Sequence, residues 1–294
     1  MNYYNEIKEQ IINNEITKKV KDYSKNRSDL DTYYNIGKLL SDAGKHYGEG
    51  IIKEYSKKLI LELGKGYTQT RLKYFRKFYE VFVKGPTLSD KLSYSHYCEI
   101  IWFVDYNKMN YYIELCIKEN LSVRQLRQRI KNNEYERLPE ETKNKLINKE
   151  KPKVEDMIKN PILIKNKNNY EIISEKILQK LILEDIPLFL KELGIGFTFI
   201  ENEYKIKIGD KYNYIDLLLY NIKFKCYVVI ELKITELKKE HIGQIETYMN
   251  YIDKHIKTIE ENKTIGIIIV KKNNKFIMEY CSDDRIISKE YELV

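Results

Sequence analysis

The most informative part of the sequence consists of two neighbouring stretches: Tyr214-Ile215-Asp216-Leu217-Leu218-Leu219-Tyr220 and, after residues 221–225, Cys226-Tyr227-Val228-Val229-Ile230-Glu231-Leu232-Lys233. Both are short apolar runs bounded by polar residues, which predicts two buried strands joined by a turn near residue 223. The turn places Asp216 opposite Ile230 and Glu231, and strand alternation puts Glu231 and Lys233 on one face. Two carboxylates and one ammonium group therefore converge at the end of two buried strands.

Such a convergence of buried charges points to a bound cation. Burying charges costs free energy unless they pair with each other or hold an ion. A hard divalent ion with oxygen ligands meets this need, and Mg²⁺ keeps several waters, one of which can act as a nucleophile. A Glu-x-Lys triplet alone is common at solvated strand ends, so the prediction depends on Asp216, Glu231 and Lys233 together.

The surrounding sequence predicts a mixed sheet flanked by helices, an α/β (α+β) fold. A long apolar helix covers residues 170–193, with a break at Pro187. Glu175 lies on its apolar stripe, either as a further metal ligand or snorkelling at the helix rim. We expect strands at 197–200, 204–208, 214–220, 226–233, 264–270 and 276–281, and a helix at 239–255.

The first half of the chain reads as helical. Residues 1–137 resemble a helical or winged-helix DNA-binding module, residues 138–169 contain three prolines and predict a linker, and residues 170–294 form the second domain. Two helices are amphipathic and basic, with Arg71, Lys73, Arg76 and Lys77 on one and Arg124, Arg127 and Arg129 on the other. These side chains either contact nucleic-acid phosphates or form a solvated face. We expect His96 to cap a helix.

Charge and composition narrow the function classes. The 294-residue chain has a formal net charge of +8, of which +7 lies in residues 1–150. This excess suggests a polyanionic partner, although the Lys bias of an AT-rich genome produces the same excess. Because no apolar run reaches the roughly 18 residues of a membrane span, and the start of the chain lacks a signal core, we expect a cytoplasmic protein with no membrane partner. Neither a structural zinc site nor a disulfide framework is expected, since the four cysteines form no CxxC pair.

The chain resembles the YhcG-like family of bacterial PDDEXK nucleases, which join an N-terminal domain of unknown function to a C-terminal nuclease domain. The resemblance rests on the spacing of Asp216, Glu231 and Lys233, on Gly194-Ile195-Gly196-Phe197, and on the Gln244-x3-Tyr248 pair, which is similar to a motif of RecB-type members. In the first half it rests on short stretches at 66–74, 92–97, 121–126 and 135–138.

That resemblance implies a restriction-endonuclease-like fold and Mg²⁺-dependent phosphodiester hydrolysis, with Mn²⁺ as a substitute. The catalytic residues that it implies are Asp216, Glu231 and Lys233, supported by Glu175, Gln244 and Tyr248. The metal ligands that it implies are Asp216, Glu231, the Leu232 carbonyl and Glu175. One departure is residues 201–203, Glu-Asn-Glu, where the family tends to have Gly-Arg-Gln. The substitution removes a basic residue near the site.

The sequence therefore predicts a DNA nuclease whose N-terminal domain contacts the nucleic acid, with RNA left open as a substrate. A homodimer is a further expectation, because cutting two strands usually needs two sites. Two alternatives stay open. One is a non-catalytic nucleic-acid-binding protein that kept the fold, and the other is a partner-triggered module of a defence or mobile-element system.

Overall fold

The computed structural model describes residues 3–20, 25–148, 150 and 153–294. The chain divides into two compact units, Met1–Tyr135 and Glu136–Val294. Among the described residues, no helix is both long enough and apolar enough to cross a membrane.

The described part of the first unit consists of helices. They are α1 Tyr3–Val20, α2 Lys25–Tyr47, α3 Ile51–Leu63, α4 Gln69–Phe82, α5 Tyr94–Ile100, α6 Tyr106–Glu119 and α7 Val123–Lys131. The helical prediction is confirmed, but the winged-helix form is not. A wing requires a β-hairpin, and residues 3–20 and 25–135 contain no strand. The glycine-containing turns at 64–66 and 85–86 join helices instead.

Side-chain caps and one close crossing define this helical unit. Thr68 begins α4 by accepting a hydrogen bond from the Arg71 N–H, and the Ser122 and Gln125 side chains form a capping box at α7. Helix α2 crosses α4 so closely at Gly37 that a Cβ atom there would lie 2.1 Å from the Phe75 carbonyl oxygen. Only glycine fits at this crossing.

The second unit is a six-stranded mixed sheet with helices on both faces. Its elements are α8 Glu140–Asn148, a 3-10 turn Glu155–Met157, β1 Ile162–Ile164, α9 Glu175–Glu184, α10 Ile186–Leu193, β2 Phe197–Ile208, β3 Lys211–Asn221, β4 Cys226–Glu236, α11 Lys239–His255, β5 Ile265–Lys272, α12 Lys275–Glu279 and β6 Ile286–Leu293. The strand order is β1-β6-β5-β4-β3-β2. Strands β2, β3 and β4 are antiparallel neighbours, whereas β4, β5, β6 and β1 pair in parallel. The predicted mixed sheet is confirmed.

The sheet separates two apolar cores. Helices α9 and α10 pack on one face, against residues such as Ile230 and Leu232. Helix α11 packs on the other, against residues such as Val229 and Ile268. Because alternate residues of β4 serve both cores, the strand reads as a continuous apolar run rather than as an alternating one.

Three element predictions need correction or refinement. Residues 138–169 are not a bare linker, because they supply α8, the 3-10 turn and β1 to the second unit. The stretch at 276–281 is not a strand: α12 covers most of it, and the last strand is β6. The helix predicted at 170–193 is divided at Asp185, whose side chain accepts a hydrogen bond from the Leu188 N–H and begins α10, with Pro187 in its first turn.

Candidate active site

Strands β3 and β4 separate at Asp216, and this separation creates the site. Their pairing runs from Asn221–Cys226 to Leu217–Ile230. Beyond it, Asp216 Oδ2 accepts a hydrogen bond from the Leu232 N–H at 2.7 Å, in place of a strand-to-strand bond. Because the N–H and C=O groups of one strand residue point to the same side, the Leu232 carbonyl faces the same gap.

Glu231 and Lys233 lie on one face of β4, as predicted, and contact each other. Lys233 Nζ donates to Glu231 Oε2 at 3.2 Å. The Glu231 side chain is only 1% exposed, and its Oε1 atom has no hydrogen-bond partner. A buried carboxylate oxygen without a donor is costly, so this atom marks a position where a ligand would restore a partner.

The electrostatics of the three groups follow from burial and proximity. Burial and the nearby Asp216 raise the pKa of Glu231 to about 8. The pKa of Asp216 is also raised, mainly by burial, although the Leu232 N–H and the Lys233 ammonium oppose the rise. For Lys233, burial lowers the pKa, but Glu231, Glu175 and Asp216 outweigh it and the net pKa is raised. The ammonium group is therefore held charged beside its carboxylates.

Glu175 reaches the site from the first residue of α9. Its Oε2 atom lies 3.8 Å from Lys233 Nζ, and its side chain is 47% exposed. The expected buried stripe does not extend this far, since Ile172 is 84% exposed and the buried residues of α9 begin at Leu178. The structure thus places Glu175 at the solvent rim of the site, within reach of Lys233.

Gln244 and Tyr248 lie one turn apart on α11, as their spacing predicted, and Gln244 Nε2 donates to the Tyr248 hydroxyl at 3.2 Å. Tyr248 is buried. Burial raises its pKa; the Gln244 hydrogen bond lowers it, and the charges of Glu231 and Lys233 act on it in opposite directions. The pair therefore stands near the β4 charges on the α11 face of the sheet.

Two residues at the site were not predicted. Gln179, one turn after Glu175 on α9, is buried and donates from Nε2 to the Asp216 carbonyl oxygen at 2.9 Å, which fixes the helix to β3. His241 accepts the Lys238 N–H at Nδ1, at 3.1 Å, and burial followed by the Lys233 charge lowers its pKa. Helical spacing from Glu175 and from Gln244 is the signal that could have found them.

The donor set fits a divalent cation with few protein ligands. No group of three or more His, Cys, Asp or Glu side chains arranged to hold a metal occurs in the described part of the chain. Mg²⁺, however, is usually bound by one or two carboxylates and keeps its remaining waters. Glu231 Oε1 has no hydrogen-bond partner, and Asp216 accepts the Leu232 N–H through Oδ2, which leaves its Oδ1 atom for a ligand. These two carboxylates, with the Leu232 carbonyl, match that requirement.

Most of the predicted phosphate-binding arginines of the first unit already have partners. Arg76 pairs with Glu49 at 2.6 Å, and Arg127 with Glu99 at 2.6 Å. Arg129 is 12% exposed and lies between two carboxylates, those of Glu119 and Glu134. Arg71 donates to the Gly66 carbonyl and lies over the rings of Tyr33, Tyr67 and Phe75. These contacts stabilise the unit and compete with phosphate.

The other basic residues of the pair of helices are more accessible. Lys73 and Arg124 are exposed and form no ion pair or hydrogen bond with any described residue. Lys77 lies 5.9 Å from the centre of the Trp102 ring, which is half-exposed. His96 caps α5 as predicted: its Nδ1 atom contacts Ser93 and its Nε2 atom contacts the Leu121 carbonyl.

Comparison with known families agrees with this architecture. Residues 155–293 match the YhcG PDDEXK nuclease domain, and residues 6–137 match the DUF1016 N-terminal domain. The second unit, with its Asp-Glu-x-Lys site on a mixed sheet, is therefore a PDDEXK nuclease domain. The chain as a whole belongs to the YhcG-like family of PDDEXK nucleases, which confirms the resemblance found in the sequence.

The chain is also similar to individual proteins. It is 23% identical over 309 residues to a protein of Escherichia coli (strain K12) named "Putative nuclease YhcG", covering 89% of this chain and 82% of that protein. Among solved structures, a repair endonuclease from Pyrococcus abyssi is 20% identical over 43% of this chain, with a TM-score of 0.30. An EndoMS complex with double-stranded DNA is 19% identical over 43%, with a TM-score of 0.29. This chain spans about half of each of those structures, 48% in both cases.

Proposed function

We propose that this protein is a divalent-metal-dependent nuclease that hydrolyses phosphodiester bonds in DNA. The observation that carries the proposal is the buried Glu231 carboxylate, whose Oε1 atom lacks a partner while Asp216 and Lys233 stand beside it. A group this costly to bury is typical of an active site, where the binding of an ion offsets the cost.

Each side chain has a distinct part in this chemistry. Asp216, Glu231 and the Leu232 carbonyl would hold Mg²⁺ or Mn²⁺, and the bound ion supplies an acidified water and neutralises phosphate charge. Lys233, held charged by its carboxylates, orients the attacking water and stabilises negative charge on the phosphate as the bond breaks. Glu175 and Gln244 border the site and position these groups, and buried Tyr248 supports Gln244 through its hydroxyl.

Nucleic-acid contact in the first unit is part of the proposal. Of the predicted phosphate-binding residues there, Lys73 and Arg124 are exposed and Lys77 is half-buried, and these three would bind phosphates without reading sequence. DNA is the proposed substrate because the second unit matches the YhcG PDDEXK nuclease domain. We also propose a homodimer, which light scattering of the purified protein tests.

The decisive experiment is a cleavage assay on single-stranded, duplex and branched DNA and on RNA, with Mg²⁺, Mn²⁺ or EDTA. Asp216→Asn, Glu231→Gln and Lys233→Met should each abolish metal-dependent cleavage while the circular dichroism spectrum is kept. Glu246→Gln, an exposed carboxylate on α11, is the matched control and should cleave normally. Cleavage by the Asp216 and Lys233 variants at the wild-type rate would exclude this site.

The same assay separates the two other functions. Binding of nucleic acid without cleavage under every metal indicates a non-catalytic binding protein. Cleavage that appears only after a co-purifying protein is added indicates a partner-triggered module.

A further inference from the structure

The β2–β3 hairpin extends past the active site and carries an exposed face that the proposed chemistry does not use. Residues 204–215 pair with each other beyond the point where β3 leaves β4. One face of this extension is apolar: Ile206 and Ile215 are fully buried against the α11 side of the sheet. The extension is therefore a fixed arm of the domain, and its other face is open to solvent.

The open face combines two lysines with two tyrosines in direct register. Lys205 is opposite Tyr214, and Lys207 is opposite Tyr212. Tyr214 is 51% exposed and Tyr212 is 56% exposed. The Lys205 ammonium lies 3.8 Å from the centre of the Tyr212 ring. Cations and rings thus form one continuous surface, which we call the Lys-Tyr face.

The Lys-Tyr face adjoins Asp216 along β3. Tyr214 precedes Asp216 by two residues, about 7 Å along the strand, and Tyr212 precedes it by four. On β2, Glu203 precedes Lys205 by two residues and contributes to the raised pKa of Asp216, so its carboxylate is close to the site. The acids stand at the inner end, where a cation would offset their charge, and the lysines stand farther out.

We propose that the Lys-Tyr face, Lys205, Lys207, Tyr212 and Tyr214, binds an unpaired nucleic-acid strand and leads it to Asp216. This inference rests on the proposed nuclease function and names its substrate class. Bases stack on aromatic side chains when they are free of a duplex, and lysines follow the phosphate backbone. In a duplex the bases stack on each other, so these rings would have no base face to contact.

Binding measured without turnover tests the proposal. The full-length chain is titrated with a fluorescein-labelled DNA oligonucleotide of about 16 nucleotides, the upper footprint of a single-strand-binding fold, with Ca²⁺ in place of Mg²⁺.

We expect Tyr212→Ala/Tyr214→Ala to weaken binding at least about fivefold per ring, and Tyr212→Phe/Tyr214→Phe to keep wild-type affinity. Lys205→Gln/Lys207→Gln should lower the salt slope, log Kobs against log salt, by about 1.4. The matched control, Lys223→Gln/Lys225→Gln, removes the same charge at the far end of β3 and should leave the slope unchanged.

The outcomes distinguish this inference from the proposed function. Wild-type affinity in both Tyr212→Ala/Tyr214→Ala and Lys205→Gln/Lys207→Gln overturns the Lys-Tyr face as a binding surface. A loss of binding in the Lys223→Gln/Lys225→Gln control equal to that in Lys205→Gln/Lys207→Gln overturns it as well. An equal loss on duplex and single strand overturns the unpaired-strand assignment. If the hairpin variants lose single-strand binding while no metal supports cleavage by the wild type, the Lys-Tyr face stands and the nuclease function fails. The circular dichroism spectrum of each variant confirms folding.

Discussion

Replacing Glu231 by Gln should stabilise the metal-free protein, and more so at alkaline pH. The carboxyl group is buried, so its pKa is about 8 in the folded chain against 4.5 for the exposed group. A raised carboxyl pKa means that folding favours the protonated form. Stability is therefore lost as the pH rises from 4.5 towards 8, and glutamine, which cannot ionise, does not show this loss.

The size of the effect follows from the two pKa values. Between them, each pH unit costs about 1.4 kcal/mol of folding free energy. The cost is about 1 kcal/mol near pH 5 and about 5 kcal/mol near pH 9. The gain in stability of Glu231→Gln over wild type should then grow by roughly 4 kcal/mol between these conditions. Lys233 stays charged at both pH values, so it does not change the comparison.

Urea denaturation of the full chain in EDTA, at the two pH values, measures this difference. Glutamine is nearly isosteric with glutamate, so changes in packing cancel when the two pH values are compared. Hydrogen exchange of the β4 amides gives the same free energy for the second unit alone. If the stability gain of Glu231→Gln is equal at both pH values, within about 1 kcal/mol, the conclusion that Glu231 is buried with a pKa near 8 is refuted.

Four further substitutions test the packing and charge assignments. Arg137→Ala breaks a buried ion pair with Glu192 and should cost about 3–5 kcal/mol of unfolding free energy in urea. Gly37→Ala should cost about 1–3 kcal/mol or more, because its Cβ would overlap a backbone oxygen of α4; thermal melting measures it. Arg129→Met should destabilise the first unit, whereas Arg124→Met should leave its melting temperature unchanged and weaken only DNA binding in a polarisation titration.

The proposed catalytic triplet was predictable from sequence because its geometry is local. A short turn between two apolar strands and a two-residue alternation suffice to bring Asp216, Glu231 and Lys233 together. The surroundings depend on how helices pack on the sheet. Helical spacing puts Gln179 one turn after Glu175, but no local pattern shows that its side chain contacts the Asp216 backbone, 37 positions away in sequence. The exposure of Glu175 was missed for the same reason.

The prediction of a linker at 138–169 failed for a different physical reason. The segment is polar, and a polar segment is predicted to be exposed when the hydrogen-bond partners of its charged residues are not known from the sequence. In the structure, Asp156 is buried and Lys145 donates to it, while Lys159 is buried and donates to the Lys191 carbonyl. Conversely, the apolar residues at 276–281 predicted a strand, yet Phe276 and Tyr280 are exposed on and beside α12.

Net charge is a weak guide to where this protein contacts a nucleic acid. The first half carries +7, but Arg76, Arg127 and Arg129 are each held by carboxylates of the same unit, and displacing those partners would cost part of any phosphate contact. The second half is nearly neutral, yet it presents Lys205 and Lys207 beside exposed rings on an arm that begins next to Asp216. Substitutions on that arm should therefore change binding to an unpaired strand more than substitutions of Arg127 or Arg129. A phosphate binds to individual cations that are not already paired with carboxylates, and the net charge of a domain does not show which cations those are.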